Sequence, residues 1–206
     1  MHTEKILISI FHKDGKDNEN FNRLKAFFKN FDIYIPHVEY YGNKWTATKD
    51  FFINNNYNTL FVICSDVSIV CGDISSKIKE YSNNQFLGTF GFGTINNSTF
   101  PWLKYDSTQL IKDVPFIEGY CFGVNEKLLA YLELENQYGY GIDVEMGYKA
   151  HLNGLRCILS NEVCISHAFG KSYDNTLAIN EYRKFLIEEP QIQQFLNNLS
   201  IPHPLL

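Results

Sequence analysis

No apolar run in this sequence reaches the roughly 18 residues that a membrane span needs. The stretch that follows Met1-His2-Thr3-Glu4-Lys5 is too short for the core of a signal peptide. A soluble, cytoplasmic chain is therefore expected, with the plentiful Phe and Tyr allowing loose attachment at the inner face of a membrane. Basic excess is lacking too. The formal charge is −5 and the pI about 5.7, which argues against a nucleic-acid protein, since such a protein carries a basic stripe; a nucleotide could still bind locally. There is no CxxC pair. The five cysteines, Cys64, Cys71, Cys121, Cys157 and Cys164, are odd in number and mostly lie in apolar runs, where thiols act as small hydrophobes in a reducing compartment. No Walker loop is present, Gly91-Phe92-Gly93 lacks the strand-loop-helix setting of a dinucleotide fingerprint, and no Ser or Cys sits in a nucleophile elbow. These absences argue against hydride transfer and nucleoside triphosphate hydrolysis. Internal repeats and low-complexity linkers are also missing, so the 206 residues are expected to form one domain over 1–206.

What is present reads as alternating strands and helices. Ile6 to Phe11 is a short apolar run of the buried-strand kind, followed by a turn at Asp14-Gly15. Phe21, Leu24, Phe27, Phe28 and Phe31 recur at helical spacing and predict a helix with one face on a sheet. Ile33 to Val38 reads as a second strand, which Pro36 pushes towards an edge or an end. Trp45, Thr48, Phe51 and Phe52 mark a second helix, and Thr59 to Cys64 is a continuous apolar run suited to a strand covered on both faces. Strand, helix, strand, helix, strand builds an α/β layer with right-handed crossovers, in which ligands sit beyond the carboxyl ends of the strands.

Further along, Val67 to Cys71 alternates as a short strand, Asp73 to Tyr81 is helical and Phe86 to Phe92 is the next strand. The segment Gly93 to Asp113 reads as loop with short extended pieces. Phe116 to Val124 is strand-like, and Asn125 to Leu134 is helical with Asn125 as N-cap. Val144, Tyr148, His151, Leu152 and Leu155 mark a helix closed by Gly154. Arg156 to Leu159 and Val163 to Ser166 are the last strands, and a helical tail over about 175–206 is divided at Pro190.

Three residues stand where chemistry is done. Asp66 follows the buried strand, where it is either a turn aspartate or a carboxylate that holds a divalent cation against a diphosphate. Asp143 starts a helix after the permissive loop Tyr138-Gly139-Tyr140-Gly141, as a plain N-cap or as a base that takes a proton from an attacking hydroxyl while Tyr138 and Tyr140 stack on a sugar face. Glu145, two positions on, points elsewhere around the helix. His167 ends an apolar strand and precedes Gly170-Lys171-Ser172-Tyr173, a flexible basic loop of the type that folds over phosphates. Imidazole with carboxylate oxygens suits manganese at least as well as magnesium. Glu118 interrupts an apolar strand, and either orients an acceptor hydroxyl or bonds to nearby backbone.

In this order the segments resemble the GT-A fold of nucleotide-sugar glycosyltransferases, nearest to inverting family 2 and rhamnosyltransferase-like enzymes, from about Ile6 to Tyr173. Phe61 to Ile69 resembles the strand ending in the DxD motif, with Cys64 in place of its first acid. Leu87 to Gly91 and Phe116 to Val124 resemble the following strand and the acceptor-side strand. Gly141-Ile142-Asp143-Val144-Glu145-Met146 is similar to the GED-type motif, with Ile142 where Glu is frequent. The resemblance implies a three-layer α/β sandwich around a mostly parallel sheet. It also implies an inverting transfer from a nucleotide-sugar donor to a glycan or lipid-linked acceptor, of the kind that builds bacterial surface polysaccharide. Asp143 would be the base; Asp66 and His167 would hold Mn2+ or Mg2+; Ser65, Asp66, Lys171 and Ser172 would meet the donor phosphates; Glu118, Tyr138 and Tyr140 would meet the acceptor. The departures at Cys64 and Ile142 leave a second reading open, a non-catalytic glycosyltransferase-like domain that binds carbohydrate or scaffolds a partner. A nucleotidyltransferase should show a Gly-rich, Arg-containing loop after the first strand, and His12-Lys13-Asp14-Gly15-Lys16 is not that loop.

Overall fold

The computed structural model describes residues 5–12, 18–38, 41–96, 100–129, 141–168 and 175–199. The strands are β1 (Ile6–Phe11), β2 (Asp32–Tyr34), β3 (Thr59–Cys64), β4 (Val67–Cys71), β5 (Leu87–Thr94), β6 (Ile111–Asp113), β7 (Cys121–Asn125) and β8 (Arg156–His167). The helices are α1 (Asn18–Phe27), α2 (Tyr41–Asn54), α3 (Ile74–Ser82), α4 (Glu126–Leu129), α5 (Ile142–Leu152), α6 (Asn175–Glu188) and α7 (Pro190–Asn198). No helix among the described residues is long and apolar enough to cross a membrane.

One sheet runs in the order β2-β1-β3-β7-β5-β8-β4, with β6 also paired to β8. Strands β1, β2, β3, β5 and β8 share one direction, while β7, β4 and β6 run against it. Alternation along the central strands explains the layering. Leu60 and Val62 pack into the apolar cluster that includes Trp45 and Phe52 of α2, Val144 and Met146 of α5, and Phe185 and Ile192 of the last two helices. Phe61 and Ile63 point the other way, into the cluster with Leu24 of α1 and Ile74 and Ile78 of α3. A period of two with both faces apolar is what a sheet between two helical layers requires. The architecture is thus the expected three-layer α/β sandwich.

Several boundaries differ from the sequence reading. Phe27 is half exposed, because Leu24 and Phe28 occupy the inward face and the helix ends at Phe27. The last strands form a single β8, in which the partner register on β5 jumps from Phe92↔Ser160 to Gly93↔Cys164. Glu118 does not interrupt a strand: β7 begins at Cys121, and residues 119–120 turn so that the Gly119 amide faces a side chain of α5. Gly154 takes a left-handed φ of +66° just beyond α5, as expected.

The sheet curls, and the connection between β3 and β4 requires it. Strands β7, β5 and β8 lie between those two, a separation of about 19 Å at ~4.8 Å per strand step. Only Ser65 and Asp66 connect them, and three Cα steps reach at most about 11 Å. The second half of β8 therefore folds back over the carboxyl ends of the central strands, where Val67 pairs with His167 and the Ala168 amide donates to the Asp66 carbonyl at 3.0 Å. That curl, invisible in the hydropathy pattern, brings the two ends of the molecule's chemistry together.

Candidate functional site

The carboxyl edge collects the end of β1, the β3–β4 turn, the end of β5, the start of β7 and the end of β8. The turn that carries Asp66 is held from several sides. Cys64 N–H donates to the Tyr120 carbonyl at 2.8 Å, and Ser65 N–H donates to the Phe11 carbonyl at 2.9 Å. Asn20, in the first turn of α1, donates from Nδ2 to the carbonyls of Ser65 and Val67, both at 2.7 Å, and takes the Ser68 hydroxyl on its Oδ1 at 3.2 Å. Ser65 Oγ lies 3.0 Å from His12 Nδ1, whose ring stacks on Phe21 at 4.1 Å between centroids. Buried Lys44, at the start of α2, donates from Nζ to the carbonyls of His12 (2.8 Å) and Pro36 (3.3 Å). A cation enclosed in this way offsets its desolvation through carbonyl dipoles, and it places positive charge under the β1 end.

Asp66 and His167 meet. Their Oδ2 and Nε2 atoms are 3.4 Å apart, and both side chains are largely buried. His167 is oriented by its own backbone N–H, which donates to Asn96 Oδ1 at 3.1 Å, and by the Tyr120 ring, stacked on it at 4.2 Å and 18°. Asp66 Oδ1 is buried with no hydrogen-bond donor among the described residues. An unsatisfied buried carboxylate oxygen is costly, and a divalent cation is one partner that removes the cost. Cys64 does not supply a thiolate in its place. Burial first, and then the neighbouring Asp66 carboxylate, push its thiol well above the ordinary cysteine range. Asp66 with His167 is thus the pair that could hold a divalent cation, a mixed carboxylate and imidazole set. Among the described residues no group of three or more His, Cys, Asp or Glu is arranged around a common metal position.

Asp143 stands in the first turn of α5. Gly141, the N-cap, has φ of +92°, a left-handed conformation that side chains rarely adopt, and a Cβ there would press on the Phe185 ring of α6 at 2.5 Å. The Asp143 carboxylate accepts the Val144 N–H on Oδ1 at 2.9 Å and the Gly119 N–H on Oδ2 at 3.2 Å. Burial raises its pKa against the pull of those two amides. Glu118 borders the same loop: the buried Tyr120 phenol is raised by burial first and then by the Glu118 charge. Asp143, Gly119, Tyr120, His167 and Asp66 therefore form a continuous string along one rim. Glu145 is buried within α5. Tyr138, Tyr140, Lys171 and Ser172 lie outside the described residues.

The sequence reading missed Asn20, Lys44, Asn96, Tyr120 and Tyr182. Tyr182 of α6 is buried and close enough to Asp143 for that carboxylate, after burial, to raise its phenol. A polar residue inside a helix face or strand end carries no local signal of what it will meet. The sole available clue was that Lys44 and Tyr182 fall on otherwise apolar helix faces.

A cavity of about 370 Å³ lies elsewhere, at the amino ends of β1 and β2, lined by Lys5, Asn30, Asp32 and Lys79 among others. It shares no residue with the rim just described.

No family model matches the sequence, and no curated protein matches it. Solved structures do match. One is GalNAc-T7 crystallised with UDP, GalNAc and Mn2+, similar over 89% of this chain and 47% of that one, with a TM-score of 0.57 and 8% identity. Another is A197 from STIV, over 81% and 86%, at 0.56 and 12%. A third is a glycosyltransferase involved in glycosylation of the major capsid of PBCV-1, over 82% and 96%, at 0.52 and 10%. At such identities the likeness establishes the fold: the chain has the GT-A fold, a mixed α/β sandwich around a central sheet whose strands mostly run one way.

Proposed function

We propose that this chain is a glycosyltransferase that moves a sugar from a nucleotide-sugar donor to a hydroxyl of a glycan or lipid-linked acceptor, with inversion at the anomeric carbon. The observation that carries the proposal is the rim of the sheet, where Asp66 faces His167 at 3.4 Å and the Tyr120–Gly119 turn links that pair to Asp143. The donor diphosphate is assigned to Ser65, Asp66 and the basic loop with Lys171 and Ser172, and the acceptor to Glu118, Tyr138 and Tyr140. Asp66 and His167 would hold Mn2+ or Mg2+. When bound, such a cation neutralises charge on the departing diphosphate. The inverting, family 2-like chemistry and a place in bacterial surface polysaccharide synthesis, with the chain at the inner face of the membrane, belong to the same proposal.

The chain's own residues divide the work. Asp143 takes the proton of the acceptor hydroxyl as the acceptor oxygen bonds to the anomeric carbon and the bond from that carbon to the diphosphate oxygen breaks. A carboxylate raised by burial is a stronger base than an exposed one, and the Gly119 and Val144 amides fix which lone pairs face the acceptor. Tyr120 holds the His167 ring in plane, and Asn20 keeps the Asp66 turn from relaxing.

A second reading, a carbohydrate-binding or scaffold domain without activity, is favoured by the protonated Cys64 thiol where an acid would complete the metal motif. Calorimetry with a panel of nucleoside diphosphates, with and without Mn2+, separates the two. Transfer requires one nucleotide to bind in a Mn2+-dependent way, with binding lost in Asp66→Asn and kept in Asp143→Asn. Absence of binding by every member overturns the transferase reading.

A further inference from the structure

We propose that Cys71 and Cys164 form a reversible disulfide that clamps the edge strand β4, which begins directly after Asp66, onto β8. The two residues are facing partners in the antiparallel β4–β8 ladder. Facing residues in such a ladder have Cα atoms about 4.5–5.5 Å apart, inside the roughly 4.4–6.8 Å that a disulfide spans. The pairing is made by a bulge. Val67, Ser68 and Ile69 follow one register against His167, Ser166 and Ile165, and the extra residue Val70 then shifts Cys71 into line with Cys164. Gly72, at φ +88°, lets the backbone close behind it, where a Cβ would stand 2.9 Å from Val163 Cα. Burial and then the neighbouring Cys71 sulfur push the Cys164 thiol up to about 11, as expected of adjacent thiols. Tyr105 lies beside both sulfurs: burial first, and then Cys71 and Cys164, raise its phenol.

Access favours this pair. Cys71 is exposed and Cys164 is buried behind it, whereas Cys64 is only partly exposed, Cys121 is buried, and those two are not facing partners. Glutathione disulfide is a sufficient oxidant. The Cys71 thiolate attacks one of its sulfurs, the S–S bond breaks and one glutathione thiolate leaves with the pair of electrons. Cys164 then loses its proton to solvent, attacks the Cys71 sulfur and expels the second glutathione. Two protein thiols are oxidised as one glutathione disulfide is reduced. Because β8 is the only ladder partner of β4 among the described residues, the bond fixes this edge strand and stiffens the ladder that ends at Asp66 and His167. The inference goes beyond the transferase reading and does not depend on it.

The test treats the full chain with glutathione disulfide and maps unreduced peptides by mass spectrometry. A Cys71–Cys164 peptide lighter by two hydrogens is expected, with two of the five free thiols lost, reversal by dithiothreitol and a rise in the urea midpoint. Cys71→Ser, on an exposed position where folding persists, should show none of these changes, while Cys64→Ser should show all of them. A glutathione adduct that stays on Cys71, a Cys64–Cys121 link, or a link between two chains would each overturn the proposal.

Discussion

The two edges of this one sheet differ in what they leave unpaired. At the amino edge lies the cavity of about 370 Å³, yet polar groups around it are answered locally: the Tyr57 hydroxyl donates to Asp32 at 3.0 Å, and Lys5 Nζ donates to the Asn55 carbonyl at 2.7 Å and lies over the Tyr57 ring. At the carboxyl edge Asp66 Oδ1 is buried with no hydrogen-bond donor among the described residues, and burial raises the Asp143 pKa even though two backbone amides donate to it. Volume alone marks a dent in a surface. Buried polar groups whose cost has not been met locally mark a place built for something else.

The comparison breaks most sharply at Asp143. Asp143→Asn should lower the transfer rate by about 10²- to 10⁴-fold, the usual worth of a general base. Asp32→Asn at the other edge should leave the rate unchanged, and equal rates in both variants, measured with the donor found by calorimetry, would remove the distinction. A pH profile sharpens it. Since burial raises the Asp143 pKa, the acidic limb of kcat/KM should lie above the ordinary aspartate range and be lost in Asp143→Asn. The same shift has a stability sign. Its contribution is present below the ordinary aspartate pKa and is lost as pH rises through the raised folded value. Glu162 acts oppositely: Lys77 and then Tyr81 lower its pKa, so its contribution is present above the ordinary glutamate value and lost as pH falls through the lowered one.

Smaller effects follow outward from the rim. Asn20→Ala removes two donors and an acceptor from the Asp66 turn, and should cost about 1–3 kcal/mol in urea unfolding together with weaker Mn2+-dependent nucleotide binding. Tyr57→Phe at the amino edge removes one hydrogen bond to a half-exposed aspartate, and about 0.5–1.5 kcal/mol is expected with no change in nucleotide binding. If Tyr57→Phe impaired binding as much as Asn20→Ala, the two edges would not be functionally distinct.

Much of this was legible from local pattern. Thr59–Cys64 reads as a two-faced central strand because its apolar residues must alternate between two helical layers, and Asp66 follows it at the edge where open α/β sheets hold ligands. The helix start at Asp143 was marked by its glycines. Less legible was the segment Phe116–Tyr120, apolar enough to read as strand, which instead leaves the ladder because the Gly119 amide is drawn to Asp143, 24 residues away in the chain. No propensity records a bond of that span.

The sequence by itself determined the layered α/β plan, the central strands and the identity of the carboxylates and imidazole, since periodicity and turn chemistry are local properties of neighbouring residues. Only the tertiary structure decided that Asp66 and His167 touch, that a bulge at Val70 turns Cys71 towards Cys164, and that Lys44 and Asn20 close around the turn. The physical reason is the two-residue link between β3 and β4. It is too short to cross a flat sheet, so the sheet curls, and the curl selects which distant side chains become neighbours.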